Sequence, residues 1–212
     1  KKVLITAGPT YEAIDPVRFI GNHSSGKMGF EIAKAAANLG AQVILVTGPS
    51  HEKVENNLIQ VIPVISAQDM YDATHKCFKD VDIAILSAAL ADYKPKQVAT
   101  QKIKKKDTSL TLELEKTKDI LASLGIIKTN QFLVGFALET NNELENAKAK
   151  LKKKNLNLIV LNSLNDKGAG FKNETNKVTL IDAEDVVTEY DLKSKAEVAK
   201  DILNEIIKKI HA

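Results

Sequence analysis

Short, unbroken apolar runs alternating with helical stripes constrain this chain more than any other feature. Val3-Leu4-Ile5 ends at Gly8-Pro9, and Val43-Ile44-Leu45-Val46 ends at Gly48-Pro49. Runs of this length, bounded by turn residues, predict strands buried on both faces. Between them Ile32, Ala33, Ala36, Ala37 and Leu39 form a helical stripe within Phe30–Leu39, which stops at Gly40. Strand, loop, helix and strand together begin a parallel sheet with Rossmann-like winding. The alternation continues. Leu58–Val64, Ile83–Leu86, Phe132–Leu138 and Leu158–Leu161 predict further strands. Helical patterns run to Phe78, from Lys118 to Lys128 and from Asn141 to Lys154. Ser66 and Asp69 have capping-box spacing before the first of these, with Asp in place of the usual Glu or Gln. The fold expected is α/β: a Rossmann-like, mostly parallel sheet flanked by helices.

The C-terminal part reads as a small β addition. Lys177–Asp182 and Val186–Tyr190 resemble a hairpin, and Lys195–Ile210 a last amphipathic helix. Thr10–Ile20 is expected to be irregular around Pro16. Tyr93–Ser109 carries Lys94, Lys96, Lys102, Lys104, Lys105 and Lys106 with almost no large apolar residue. Such a segment buries little, so residues 93–109 are expected to form a mobile, lysine-rich flap. Leu110, Leu112 and Leu114 then alternate with polar residues, which predicts a half-buried strand. No repeat or linker divides the 212 residues, so residues 1–212 are expected to form a single domain.

Cys77 is the only cysteine, which excludes an intrachain disulfide and suits a reducing compartment. No apolar run approaches the roughly 18 residues of a membrane span, and no signal-peptide pattern opens the chain. The protein is expected to be cytoplasmic and free of the membrane. The lysine clusters lack the aromatic or arginine companions of a nucleic-acid surface, for the chain is 5% aromatic with no Trp. They suit solvated faces, or clamps on a polyphosphate. Lys150 and Lys154 share one helical face. No metal-ligand cluster stands out.

Gly21-Asn22-His23-Ser24-Ser25-Gly26-Lys27-Met28-Gly29 precedes the first helical stripe. Backbone N–H groups at a helix start have no intrahelical partner and favour anions, though glycines and serines also make ordinary turns and caps. Gly21-x-x-x-x-Gly26-Lys27 approaches a P-loop, but Met28 stands where the magnesium-binding hydroxyl belongs. A nicotinamide dehydrogenase is disfavoured too. No G-x-G-x-x-G follows the first strand, and the second ends Val46-Thr47-Gly48-Pro49 without an acidic residue for a ribose. His23 could serve as a base or as a loop hydrogen-bonding residue.

Taken together, several spaced blocks resemble the phosphopantothenoylcysteine synthetase family over essentially the whole chain. They are Ile5–Thr10, Asp15–Arg18, Asn22–Gly29, Ala91–Tyr93, Lys102–Lys105, Gly135–Ala137 with Glu139-Thr140, and Lys150–Asn155. In many bacteria this enzyme is the carboxy-terminal half of a two-domain protein. The resemblance implies a ligase of coenzyme A biosynthesis. The carboxylate of 4′-phosphopantothenate attacks the α-phosphate of a nucleoside triphosphate, usually CTP, although ATP is possible. Pyrophosphate leaves, and cysteine displaces CMP from the acyl-cytidylate. The family further implies Mg²⁺, a homodimer and, in this chain, no flavin, with any decarboxylase a separate partner.

Position by position, Asn22 matches the asparagine that holds the acyl-nucleotide, and Lys102 the flap lysine of its formation. Asp92, Phe136, Lys150 and Lys154 match nucleotide-site positions, and Ser87 and Ala88 line that site. Lys118-Asp119-Ile120-Leu121 aligns with a segment that usually reads Pro-Asp-Ile, from which Lys118 departs. Leu90 and Leu138 stand where smaller residues are common. Gly21, Ser24, Ser25, Gly26 and Lys27 support Asn22 and supply anion contacts. The alternative from another class is a non-catalytic nucleotide- or nucleic-acid-binding module on the same fold.

Overall fold

The computed structural model describes residues 1–105, 109–163 and 173–211. Strand β1 (Lys2–Ala7) is followed by a small hairpin of β2 (Tyr11–Ala13) and β3 (Phe19–Gly21), then helix α1 (Lys27–Asn38). β4 (Gln42–Thr47) and β5 (Ile59–Pro63) lead to α2 (Ala67–Phe78) and β6 (Ile83–Leu86). A two-stranded ribbon of β7 (Tyr93–Pro95) and β8 (Leu114–Lys116) precedes α3 (Ile120–Ile127). β9 (Phe132–Glu139), α4 (Glu143–Lys153) and β10 (Leu158–Ser163) follow. The last part holds β11 (Thr175–Asn176), β12 (Val178–Asp182), β13 (Val187–Glu189), β14 (Lys193–Ser194) and α5 (Lys195–His211).

The main sheet runs β5-β4-β1-β6-β9-β10-β12-β13. The strands from β5 to β10 are parallel, and β12 and β13 add an antiparallel edge. Numbered by their place in the chain, the parallel strands lie in the order 3-2-1-4-5-6, the Rossmann winding. The expected C-terminal hairpin exists, and it extends the main sheet instead of standing apart.

The unbroken apolar runs serve both faces of that sheet. Leu45, Ile5, Ile85, Val134 and Leu158 lie in register across five strands and are buried under α1 and α5. One residue back, Ile44, Leu4, Ala84 and Leu133 face the opposite way, under α2, α3 and α4. Ile5 is fully buried, so Ile5→Ala should cost about 2–5 kcal/mol in denaturant unfolding. The expected capping box of α2 is present. Asp69 N–H donates to Ser66 Oγ at 3.1 Å, and Ser66 N–H donates to Asp69 Oδ2 at 3.0 Å. No helix among the described residues is long and apolar enough to cross a membrane.

Two expectations need correction. Thr10–Ile20 is not irregular, because Asp15 organises a turn that pairs β2 with β3. Val17 and Arg18 N–H donate to Asp15 Oδ1 at 2.8 and 2.9 Å, and Phe19 stacks on Tyr11 at 3.9 Å. Secondly, the leucine alternation at 110–114 does not mark a half-buried strand. Only Leu114–Lys116 is a strand, and Leu110 and Leu114 are 56% and 42% exposed. It pairs with β7 outside the main sheet, which leaves no core for the leucines to face.

Lys106, assigned to the flap, lies outside the described residues. The described part of that segment is tied to the body. Ile103 N–H donates to Asp15 Oδ2 at 3.0 Å, and Arg18 Nη2 donates to Ile103 O at 2.9 Å. Asp15 is buried, and Arg18 Nε donates to its Oδ2 at 3.0 Å. The Arg18 guanidinium, with backbone N–H groups from Ile103, Val17 and Arg18, holds the Asp15 carboxyl well below the usual carboxylate range. A depressed acid stabilises the fold above its unfolded value of about 4, and this stabilisation fades as pH falls from there through the lower folded value. The stability gap between wild type and Asp15→Asn, followed by urea unfolding, should therefore narrow below about pH 4.

Candidate active site

The sheet's winding reverses between β1 and β6. From β1 the chain crosses through α1 on one face, and from β6 it continues to α3 on the other. Open α/β sheets bind ligands at such a point, beyond the strand carboxyl ends. A cavity of about 680 Å³ lies there. Its floor is stitched together by side chains that follow the two strands. Ser87 Oγ donates to Thr6 O at 2.7 Å, Ala88 N–H to Thr6 Oγ1 at 3.2 Å and Ala91 N–H to Thr10 Oγ1 at 3.0 Å.

Asn22 reaches across to this floor from the loop after β3. Its Nδ2 donates to Ala89 O at 2.9 Å and to Leu90 O at 2.7 Å. Both amide hydrogens are thus engaged, while Oδ1 accepts no hydrogen bond from the described residues. Gly26 then starts α1 in the left-handed region at φ 85. Gly26 N–H donates to Ser24 Oγ at 3.2 Å and Lys27 N–H to Ser25 Oγ at 3.3 Å. The N-cap residue Gly26 offers α1 no side-chain cap and the first turn holds no acid, so beyond the Ser25 contact its positive end faces the cavity, which Met28 and Gly29 line. Gly29 allows α1 to come this close. A Cβ there would stand 2.6 Å from Ala7 Cβ and 2.7 Å from Ser87 Oγ. Gly29→Ala should destabilise the fold by about 1–3 kcal/mol, read by thermal unfolding, because neither neighbour is a flexible tip.

The wall on the α3–α4 face is cationic. Lys150 is half-buried, and its Nζ donates to Phe136 O at 2.8 Å. Burial first, then Lys154, lowers its pKa. Lys154 Nζ lies 2.8 Å from Asp119 Oδ2, while Asp119 Oδ1 accepts Ala122 N–H at 2.9 Å to cap α3. Ile120 and Leu121 follow on the same wall, and Lys118 Nζ sits 4.5 Å from the Tyr71 ring centroid. Asp92 lines the cavity, and its carboxylate has no hydrogen-bond or ion-pair partner among the described residues.

The cavity gathers most of the residues singled out in the sequence. Asn22, Ser24, Ser25, Gly26 and Lys27 line it, as do Ser87, Ala88 and Phe136. Leu90 and Leu138 line it too. Gly21 and Lys102 do not. Gly21 ends β3 against the Tyr11 ring, and Lys102 is exposed beside the anchored Ile103. Lys27 lines the cavity but pairs with Glu174, which raises its pKa. His23 is exposed. Sequence reasoning missed Thr6, Asn162, Asn176 and Lys195. A two-residue strand pairing brings Asn176 and the start of α5 to the site, and no periodicity announces it.

These features define a Rossmann-like α/β fold with a cavity at the switch point and lysines on one wall. The chain belongs to the family described as the DNA/pantothenate metabolism flavoprotein C-terminal domain, which it matches over residues 1–210. It is 49% identical over 206 residues to the coenzyme A biosynthesis bifunctional protein CoaBC of Bacillus subtilis, covering 97% of this chain and 51% of that protein. Over 212 residues it is 50% identical to a cysteine/cysteine sulfinic acid decarboxylase of an unknown prokaryotic organism, covering 100% of this chain and 59% of that protein. The chain thus spans about half the length of the curated relatives it matches. Among solved structures, the C-terminal domain of CoaBC superposes with a TM-score of 0.85 at 45% identity, over 100% of this chain and 96% of that one.

Proposed function

We propose that this chain is a phosphopantothenate–cysteine ligase of coenzyme A biosynthesis, acting through an acyl-cytidylate. One observation carries this reading. The switch-point cavity joins the Asn22 loop and the α1 N-terminus to a cationic wall at Lys150 and Lys154, in a chain that matches the CoaBC C-terminal domain throughout. The reaction needs charge stabilisation more than proton transfer, since charge grows on phosphoryl oxygens and then on an acyl oxygen. Lys150 and Lys154 would meet the nucleotide phosphates, beside Asp92, Phe136 and the α3 start at Asp119. The Ser24-Ser25-Gly26 turn and the open end of α1 would hold the anion of phosphopantothenate. Asn22 would accept a hydrogen bond from the attacking amine through Oδ1. Lys102 would act on the leaving pyrophosphate in the first step.

Mg²⁺ bound to the triphosphate would neutralise its charge. The donor set fits such a metal. No three His, Cys, Asp or Glu side chains cluster among the described residues, and Asp119 is committed to Lys154 and its cap. Asp92 is then the carboxylate offered to an ion that takes its other oxygens from phosphate and water. CTP as the nucleotide, a homodimer, a cytoplasmic setting and a separate decarboxylase partner belong to the same proposal. No flavin and no nucleic acid enter it.

The test is incubation with phosphopantothenate, cysteine and each of the four nucleoside triphosphates, with products separated by chromatography. The ligase yields phosphopantothenoylcysteine and CMP from CTP in equal amounts. CO₂ release from cysteine without any nucleotide turnover would instead favour the activity named for the decarboxylase relative.

A further inference from the structure

Ser50, in the loop after β4, does not line the cavity, yet it holds a turn that does. Its Oγ donates to Ser25 O at 2.5 Å and accepts Glu52 N–H at 3.1 Å, so the hydroxyl is used on both sides. The loop that carries it is tied to β1, where Gly48 N–H donates to Ala7 O at 3.0 Å. The packing here is close enough to require Gly26. A Cβ on that residue would stand 3.0 Å from Gly8 Cα and 3.3 Å from Ser50 Oγ. The glycine also makes a loose joint. Turning over the Ser25–Gly26 peptide changes ψ of Ser25 and φ of Gly26, and glycine accepts either sign of φ. With Gly26 at φ 85, both polar atoms of this peptide are held, the carbonyl by Ser50 and the N–H by Ser24 Oγ at 3.2 Å.

The C=O and N–H of a trans peptide point in opposite directions. The Ser25 carbonyl is thereby drawn to Ser50, outside the cavity lining, and the Gly26 N–H is turned to Ser24, which belongs to it. Turned over, the peptide would set its carbonyl on the Ser24 side, where it repels an anion. Ser24 and Ser25 Oγ accept the N–H groups of Gly26 and Lys27, which leaves both hydroxyl hydrogens to donate to a ligand. An independent mark of a ligand lies elsewhere on the same lining. Asn176 is 2% exposed, and its Oδ1 is buried without a hydrogen-bond partner. Resting on the ligase reading above, we propose that Ser50 is a positioning residue for phosphopantothenate. It holds the Ser25–Gly26 peptide with the carbonyl away from the substrate's phosphate, so that the Ser24-Ser25-Gly26 turn presents donors alone. Ser50 touches no substrate and acts through Ser25.

The test measures pyrophosphate release by wild type, Ser50→Ala and Ser50→Thr, varying phosphopantothenate and CTP in turn with cysteine saturating. Ser50→Ala should raise the KM for phosphopantothenate about five- to tenfold, the worth of one hydrogen bond, and leave kcat and the KM for CTP within about twofold. Ser50→Thr, which keeps the hydroxyl, should restore most of the wild-type KM. An unchanged KM for phosphopantothenate in Ser50→Ala overturns the assignment. So does an equal rise in both KM values, the mark of a merely structural loss, or a rise for CTP alone, which would give the turn to the nucleotide. Wild-type protein that releases no pyrophosphate refutes the ligase reading itself, and the role of Ser50 with it. An active wild type with an indifferent Ser50→Ala refutes only the role of Ser50.

Discussion

Asn22→Asp should slow amide formation by about 10²–10³-fold while pyrophosphate release persists. The expectation follows from what the Asn22 amide does in the fold. Its Nδ2 spans the Ala89 and Leu90 carbonyls, and so holds the loop after β6 against the loop before α1. A carboxylate has no hydrogen to donate and would set negative oxygens against those carbonyls. The loop would draw away, and with it the position of the acyl group that cysteine attacks. The triphosphate side would keep Lys150 and Lys154, which contact Phe136 and Asp119 and not Asn22. Acyl-nucleotide should therefore accumulate, measurable by acid quench and chromatography. A full-rate Asn22→Asp enzyme would remove Asn22 from the second step.

Lys102→Gln should act one step earlier, lowering pyrophosphate release by about 10²–10³-fold. Lys102 does not line the cavity, yet the backbone beside it is held at both polar atoms. Ile103 donates to Asp15 and accepts from Arg18, so the segment is anchored next to the lysine whose side chain stays exposed. Lys27 stands next to the Ser24-Ser25-Gly26 turn, but its ammonium is already paired with Glu174. Lys27→Gln should consequently cost less in the first step than Lys102→Gln. The reverse order, read in the same pyrophosphate assay, would exchange the two roles.

Much of the fold was legible because the central strands are buried on both faces. Val3–Ala7 and Ile83–Leu86 carry no polar alternation, so their apolar runs stand out without any knowledge of neighbours. The same holds for the Ser66–Asp69 cap, a purely local device. The leucines at 110–114 misled for the complementary reason: alternation predicts a half-buried strand only where a core exists to face. The β2–β3 hairpin was hidden because Asp15 replaces the glycine signals of a tight turn with side-chain bonds to Val17 and Arg18. At the site, Lys150 and Lys154 were visible as one helical face. Asn176 and Lys195 were not, since each reads locally as a polar loop residue or a helix start. Only the β11–β14 pairing buries them beside the cavity.

The most direct measurement is pyrophosphate release from CTP by the wild-type protein with phosphopantothenate present and cysteine absent. A ligase working through an acyl-cytidylate gives a stoichiometric burst that needs phosphopantothenate, followed by steady turnover once cysteine is added. Pyrophosphate release that ignores phosphopantothenate, or that appears only when cysteine is present from the start, would contradict the two-step ligase.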